Sequence, residues 1–335
     1  MIRIGIICPS EIAARRFLPA LSQSVQFRFA GVAVADKSEF AGATDDILMR
    51  EFEKAESMVG SFGGSVFQGY HSLIESPEVD AVYLPLPPGL HYPWAKRVLE
   101  AGKHAFVEKP FTAGLHETEE LIGMAQDRGL ALHENYMFVF HKQMEDLRRI
   151  VDSGRLGDVR LYRISFGFPL RPLNDFRYNR SLGGGALLDC AGYTMRCASF
   201  FLGDKASVIS GVSNGINGFD VDMYGSAVMV NTEGVTAQLA WGMDNSYRCD
   251  LDVWGSKGSL HSGRVLTAPA GFIPTATLKI GNDAPFEIEL SADNAFLNSM
   301  SRFASCIKDE DVRCHNYEII RQQAKLVDQF ERIAL

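Results

Sequence analysis

A chain of 335 residues is longer than one hydrophobic core usually serves and is expected to form two domains. Its 46% hydrophobic content is ordinary for a globular protein. No apolar run reaches the ~20 residues that span a bilayer, and MIRIGIIC leads into a strand pattern instead of a signal peptide, so a cytoplasmic protein is expected. The net charge of -8 opposes nonspecific nucleic-acid binding, and the six scattered cysteines have neither CxxC spacing nor a metal-like cluster with histidine. The expectation is a small-molecule partner, no membrane or nucleic acid, and no metal.

The first part of the chain alternates short apolar runs with helical patterns, as in a parallel sheet covered on both faces. Strands are predicted over Ile2 to Ile7, Phe27 to Ala35, Ala81 to Leu84, His104 to Val107 and Leu130 to Glu134. Helices are predicted over Glu11 to Leu21, Asp45 to Val59, Tyr92 to Ala101 and Leu115 to Asp127, with Gly102 and Gly129 at helix ends. The fold class is therefore α/β, with a doubly wound dinucleotide-binding domain over residues 1–134. After a connecting helix, Gln143 to Val151, longer runs such as VRLYRISFGF, MYGSAVMV and VTAQLAWGM predict a large, mostly antiparallel sheet. Helix returns over Ala295 to Ile307 and Tyr317 to Ile333, so residues 135–335 form the predicted second, α+β domain.

A dinucleotide fold needs a tight turn after its first strand, where helix amides approach a pyrophosphate. That turn is Cys8-Pro9-Ser10-Glu11-Ile12-Ala13, in which Cys8 and Ser10 replace the first two glycines of GxGxxG and Ala13 keeps the small residue. Ser10 serves as a helix cap, as a phosphate donor, or both. Asp36 ends the second strand at the spacing expected for an acid on the adenosine ribose, which slightly favours NAD, whereas Lys37 suits the extra phosphate of NADP.

Glu108-Lys109-Pro110 stands where the strand HAFV runs out, so Lys109 is aimed rather than solvated at random. Behind Gly183-Gly184-Gly185, the helical pattern puts Asp189 and Tyr193 on one face, four residues apart. A lysine, a phenol and a carboxylate are thus expected to meet. Each has a plain structural alternative: a Glu108–Lys109 ion pair, a packed core tyrosine, and a structural acid. Arg177 suits either an anionic substrate such as a sugar diphosphate or an internal ion pair. Asn135, Tyr136 and His141 follow a strand end, where such folds open their ligand crevice, and are expected to line the substrate pocket.

Together IGIICPSEIAARRFLPAL, YLPLPPGLH, AGKHAFVEKPF, GGGALLDCAGY and VTAQLAWGM…VWGSKGSL resemble the Gfo/Idh/MocA oxidoreductases over nearly the whole chain. ENYMF and FRYNRSLGGGALLD are similar to the branch of ketoreductases acting on nucleotide-linked deoxysugars, with dihydrodiol and xylose dehydrogenases nearby. The resemblance implies a Rossmann domain, a C-terminal sheet used for dimer or tetramer contacts, Glu108 and Lys109 beside the nicotinamide, and a cis Lys-Pro bond. It also implies Pro87 and His91 near the cofactor ribose, Tyr193 at a catalytic position and Asp189 at an acidic one.

Hydride transfer to a ketone creates alkoxide charge that needs a proton donor and a cation. Tyr193 is the expected donor and Lys109 the cation, with Asp189 orienting the lysine or a sugar hydroxyl. The expected function is NAD(P)-dependent reduction of a keto group on a nucleotide-linked sugar. Oxidation of a free aldose or dihydrodiol is the alternative reaction, and a noncatalytic nucleotide or sugar sensor is the alternative class.

Overall fold

Apolar runs bounded by polar and glycine residues become the strands of a six-stranded sheet: β1 (Ile2–Ile7), β2 (Phe27–Val34), β3 (Ser65–Gln68), β4 (Ala81–Leu84), β5 (His104–Val107) and β6 (Leu132–Glu134). In this computed structural model, which describes residues 1–40 and 42–334, every pairing in that sheet is parallel and the order is β3-β2-β1-β4-β5-β6. The order reverses between β1 and β4, the switch point at which doubly wound sheets open a crevice beyond their strand C-termini. Connections are a π-helical turn (Ala13–Phe17) running into α1 (Leu18–Leu21), then α2 (Asp45–Phe62), α3 (Tyr70–Glu75), α4 (His91–Glu100) and α5 (Leu115–Arg128). Thr44 caps α2 by accepting from the Ile47 amide, and Gly129 ends α5 in the left-handed region.

β3 and α3 carry no sequence signal strong enough to predict them. Ser65–Gln68 is an edge strand with every residue at least partly exposed, so it lacks the apolar alternation of its neighbours. Its backbone pairing with β2 depends on Gly31, where an added Cβ would lie 2.1 Å from the Ser65 carbonyl oxygen.

The second sheet has eight strands: β7 (Val159–Gly167), β8 (Ser207–Gly215), β9 (Asp222–Val230), β10 (Thr236–Gly242), β11 (Arg248–Gly255), β12 (Gly258–Gly263), β13 (Thr275–Ile280) and β14 (Phe286–Glu289). All its pairings are antiparallel except β7 with β10. α6 (Lys142–Asp152) precedes it, and a π-helical turn (Leu187–Ala191) runs into α7 (Gly192–Leu202), whose apolar side joins the core with Tyr162, Phe166, Leu239 and Trp241. α8 (Ala295–Lys308) and α9 (Glu310–Ile333) end the fold.

The chain divides into two compact units, Met1–Asn135 with Phe296–Arg321, and Tyr136–Ala295 with the residues from Gln322 onward. One cut near residue 134 does not capture this, because α8 and the first part of α9 join the parallel sheet: Asn316 donates to the Leu132 carbonyl and the Tyr317 hydroxyl to that of Leu130. Among the described residues no helix is long and apolar enough to cross a membrane.

Candidate active site

The residues read as cofactor ligands gather at the C-terminal edge of the parallel sheet. Cys8 follows β1 with φ of 75°, so the turn keeps the left-handed conformation for which a glycine is ordinarily needed. The Cys8 amide donates to the Ala33 carbonyl, and the Ser10 hydroxyl oxygen accepts from the Ala13 amide at 3.2 Å. Ser10 is therefore a cap. The first-turn amides of Glu11 and Ile12 lie at a helix start, where no intrahelical acceptor exists. Pro9 is buried, and the Glu11 side chain pairs with Arg15 in solvent. With the left-handed turn, the small buried Ala13 and the strand-order reversal beside it, these residues fit a dinucleotide despite the missing glycines.

At the exit of β2, Asp36 accepts from both the amide and the hydroxyl of Ser38, which hold its carboxyl below the ordinary range. Glu39 takes the amides of Asp36, Tyr70 and His71, and Lys37 pairs with Asp45 at 2.6 Å. Pro87, partly exposed after β4, starts a short 3-10 turn. His91 bridges the loops that leave β4 and β5. It is fully buried, with Nδ1 2.7 Å from the Pro110 carbonyl and Nε2 2.8 Å from the Leu86 carbonyl. Burial pushes its pKa down to about 4, against the pull of both carbonyls.

Glu108, Lys109 and Pro110 leave β5, and the Lys109–Pro110 bond is cis. Glu108 Oε1 accepts from the Tyr83 hydroxyl at 2.6 Å and from Asn135 Nδ2 at 2.7 Å. Burial raises its pKa, while these two donors and the charge of Lys109 oppose the rise. Asn135 is thereby committed: its Oδ1 accepts from Ser299, and only 1% of it is exposed. It is part of the support for Glu108. Tyr83 and Ser299 were not singled out in the sequence; a lone phenol within the apolar run AVYL was the available signal for Tyr83.

In the second unit, Tyr193 opens α7 beneath the rings of Phe166, Tyr136 and Phe138, with centroids 4.9, 5.3 and 5.8 Å away. Tyr136 is buried and its hydroxyl lies over Gly192, where an added Cβ would meet that oxygen. His141 is also buried; its Nδ1 accepts from the Gln143 amide and caps α6. Tyr136 thus packs on the start of α7, and His141 on the start of α6. Asp189 and Arg177 pair with each other at 2.7 Å, and Arg177 also reaches Asp175 at 3.1 Å. The Arg177 guanidinium, read as suiting either an anionic substrate or an internal ion pair, is thus held by two acids, and Asp189 orients it.

The glycine run has the same structural cause. A Cβ on Gly184 would approach the Arg177 carbonyl oxygen to 2.4 Å, and one on Gly185 would approach Asp222 Oδ1 to 2.3 Å. Asp222 accepts from the Leu187 amide at 2.7 Å and so anchors the start of the π-helical turn before α7.

Residues 2–136 match the family described as an oxidoreductase family with an NAD-binding Rossmann fold, and residues 144–261 match the GFO/IDH/MocA C-terminal domain. The chain belongs to the Gfo/Idh/MocA oxidoreductases. Within this family it is 36% identical to the dTDP-3,4-didehydro-2,6-dideoxy-alpha-D-glucose 3-reductase of Actinomadura kijaniata, over 98% of this chain and 94% of that protein. It is 37% identical to the reductase of the same name from Streptomyces violaceoruber, over 99% and 95%. A crystal structure of the Actinomadura kijaniata 3-ketoreductase with NADP and TDP-benzene superposes with a TM-score of 0.91 at 35% identity, covering 99% of this chain and 98% of that one. The family and the deoxysugar-ketoreductase branch named from EKP, ENYMF and GGGALLD are both borne out. As a Gfo/Idh/MocA protein the chain is an oxidoreductase with a nicotinamide cofactor, NAD or NADP.

Proposed function

We propose that this chain reduces the 3-keto group of a nucleotide-linked deoxysugar, using NADH or NADPH. The observation that carries this reading is the full-length similarity to two 3-reductases of such sugars. The bound nicotinamide supplies a hydride to the carbonyl carbon. Tyr193 delivers the proton that converts the developing alkoxide to a hydroxyl, and Lys109 supplies the positive charge that stabilises it. Glu108 sets the lysine, and Asp189 keeps Arg177 oriented. Cys8 to Ile12, Asp36, Lys37 and Pro87 serve the cofactor, and His91 shapes the loops around it. The first unit is the dinucleotide domain; the second carries substrate recognition.

Both cofactors stay in the proposal because Asp36 favours the ribose diol of NAD while the solved relative holds NADP. The outward side of the eight-stranded sheet makes a homodimer or homotetramer, supported by its exposed apolar residues. A cytoplasmic setting is supported by the absence of any disulfide among the described residues.

The test is to follow nicotinamide fluorescence during titration with NADH and NADPH, then nicotinamide consumption with a dTDP-linked 3-keto-2,6-dideoxysugar. Tight binding of one cofactor and loss of its absorbance only with the keto sugar supports the reading. Turnover of a free aldose or dihydrodiol instead overturns the substrate class, and binding without any turnover favours a sensor.

A further inference from the structure

The buried polar groups around Glu108 form a chain whose hydrogens run in one direction. Glu108 Oε1 accepts from the Tyr83 hydroxyl and from Asn135 Nδ2. With its amino group committed to the carboxylate, Asn135 presents Oδ1, an acceptor only, to the hydroxyl of Ser299 at 2.8 Å. That hydroxyl has one proton and spends it on Asn135. Its oxygen is therefore an acceptor toward His133 Nε2, 2.8 Å away, and this ring nitrogen carries the hydrogen. His133, Asn135 and Ser299 are each at most 1% exposed, so bulk water cannot replace any member. The donors from β6 and α8 all point toward Glu108, and the Tyr83 hydroxyl of β4 joins them at Oε1, a pattern that suits an ionised carboxylate.

We propose that Asn135, Ser299 and His133 are positioning residues for the reaction: they hold Glu108 ionised and oriented beside Lys109, and so fix the charge that the lysine faces. The polar groups against Glu108 are Tyr83 from β4, Lys109 from its own turn and Asn135 from the end of β6. None of them substitutes for the amide, because the direction of the amide is dictated by Ser299. Without that hydroxyl the carboxamide is able to turn, bringing its oxygen toward the carboxylate. This inference rests on the oxidoreductase reading for its catalytic consequence, but not for its electrostatics.

Ser299→Ala tests it without altering any group placed on cofactor or substrate. Burial raises the Glu108 pKa and the amide donor opposes this, so loss of the donor moves the protonation of Glu108 to higher pH. The expected result is kcat about tenfold lower, the loss typical of one hydrogen bond to a charged group. KM and nicotinamide binding by fluorescence stay within about twofold, the acid limb of the kcat profile moves upward in pH, and Ser299→Thr restores both. Infrared titration of the carboxyl band, taken as wild type minus Glu108→Gln, reads the same protonation in substrate-free protein and must shift in parallel. A lower melting temperature with unchanged infrared titration and unchanged pH profile overturns the proposal and leaves the chain purely structural. An infrared shift in a protein that turns over no keto sugar supports the positioning chain while the oxidoreductase reading fails.

Discussion

Lys109 and Tyr193 carry the chemical load of the proposed reaction, and each predicts a distinct loss. Proton delivery by a positioned side chain contributes about 10²–10⁴-fold, so Tyr193→Phe, which keeps the ring packed against Phe166 and Tyr136, should lower kcat by that order while leaving the melting temperature nearly unchanged. Lys109→Met should lose a similar factor, and the double variant should lose less than the product of the two if both serve one developing charge. Steady-state kinetics on folded variants checks this; turnover that survives both changes ends the mechanism. Gly192→Ala should fail for another reason: its Cβ would collide with the Tyr136 hydroxyl, and overpacking of about 1–3 kcal/mol is expected in denaturant unfolding. At this scale the sequence exposed EKP through its place at a strand end and the Asp-x3-Tyr pair through its spacing on one helix face. It did not reveal the buried partners of Asn135, Tyr136 and His141, since a polar residue after a strand looks the same whether it faces a ligand or another side chain. Those partners are Ser299, Gly192 and the Gln143 amide.

Between elements, His91 at the start of α4 joins the loops leaving β4 and β5 through the carbonyls of Leu86 and Pro110. Its folded pKa of about 4 lies below the ~6.5 of an unfolded histidine, so the unfolded chain binds more protons between those values. Stability from the neutral ring is therefore complete above about pH 6.5 and is lost as pH falls toward 4, by about 3 kcal/mol. Denaturant midpoints of wild type and His91→Gln, compared across that range, check the sign: the wild type should lose its advantage on acidification. In the β1 turn, Cys8 holds a left-handed conformation that costs an L-residue about 1–2 kcal/mol. Cys8→Gly should fold at least as stably within about 1 kcal/mol and bind nicotinamide cofactor at least as tightly, whereas Cys8→Val should lose both. The missing glycine was legible from the sequence, but the survival of the turn was not, because it depends on the Cys8–Ala33 backbone bond and the Ser10 cap.

For the whole molecule, periodicity located both sheets, since each is long and regularly apolar, but it was blind to the return of α8 and part of α9 to the first unit. A helix pattern states that a face is buried and does not name the surface that buries it; Asn316 and Tyr317 reveal it only through their bonds to the carbonyls around β6. One side of the eight-stranded sheet is covered by α7 and the last turns of α9, with Gly211 pressed against Phe330, while the strands alternate and send Val212, Tyr224 and Trp254 outward. Trp254 is 59% exposed on a strand inside the sheet, a heavy apolar load for a solvated surface. If that side joins copies of the chain, Trp254→Glu should place a charge in the contact and lower the mass seen by light scattering, with circular dichroism and nicotinamide binding preserved. A wild-type protein that already runs as a monomer at assay concentrations would remove the oligomer from the proposal. An unchanged assembly in the variant would move the contact to another surface.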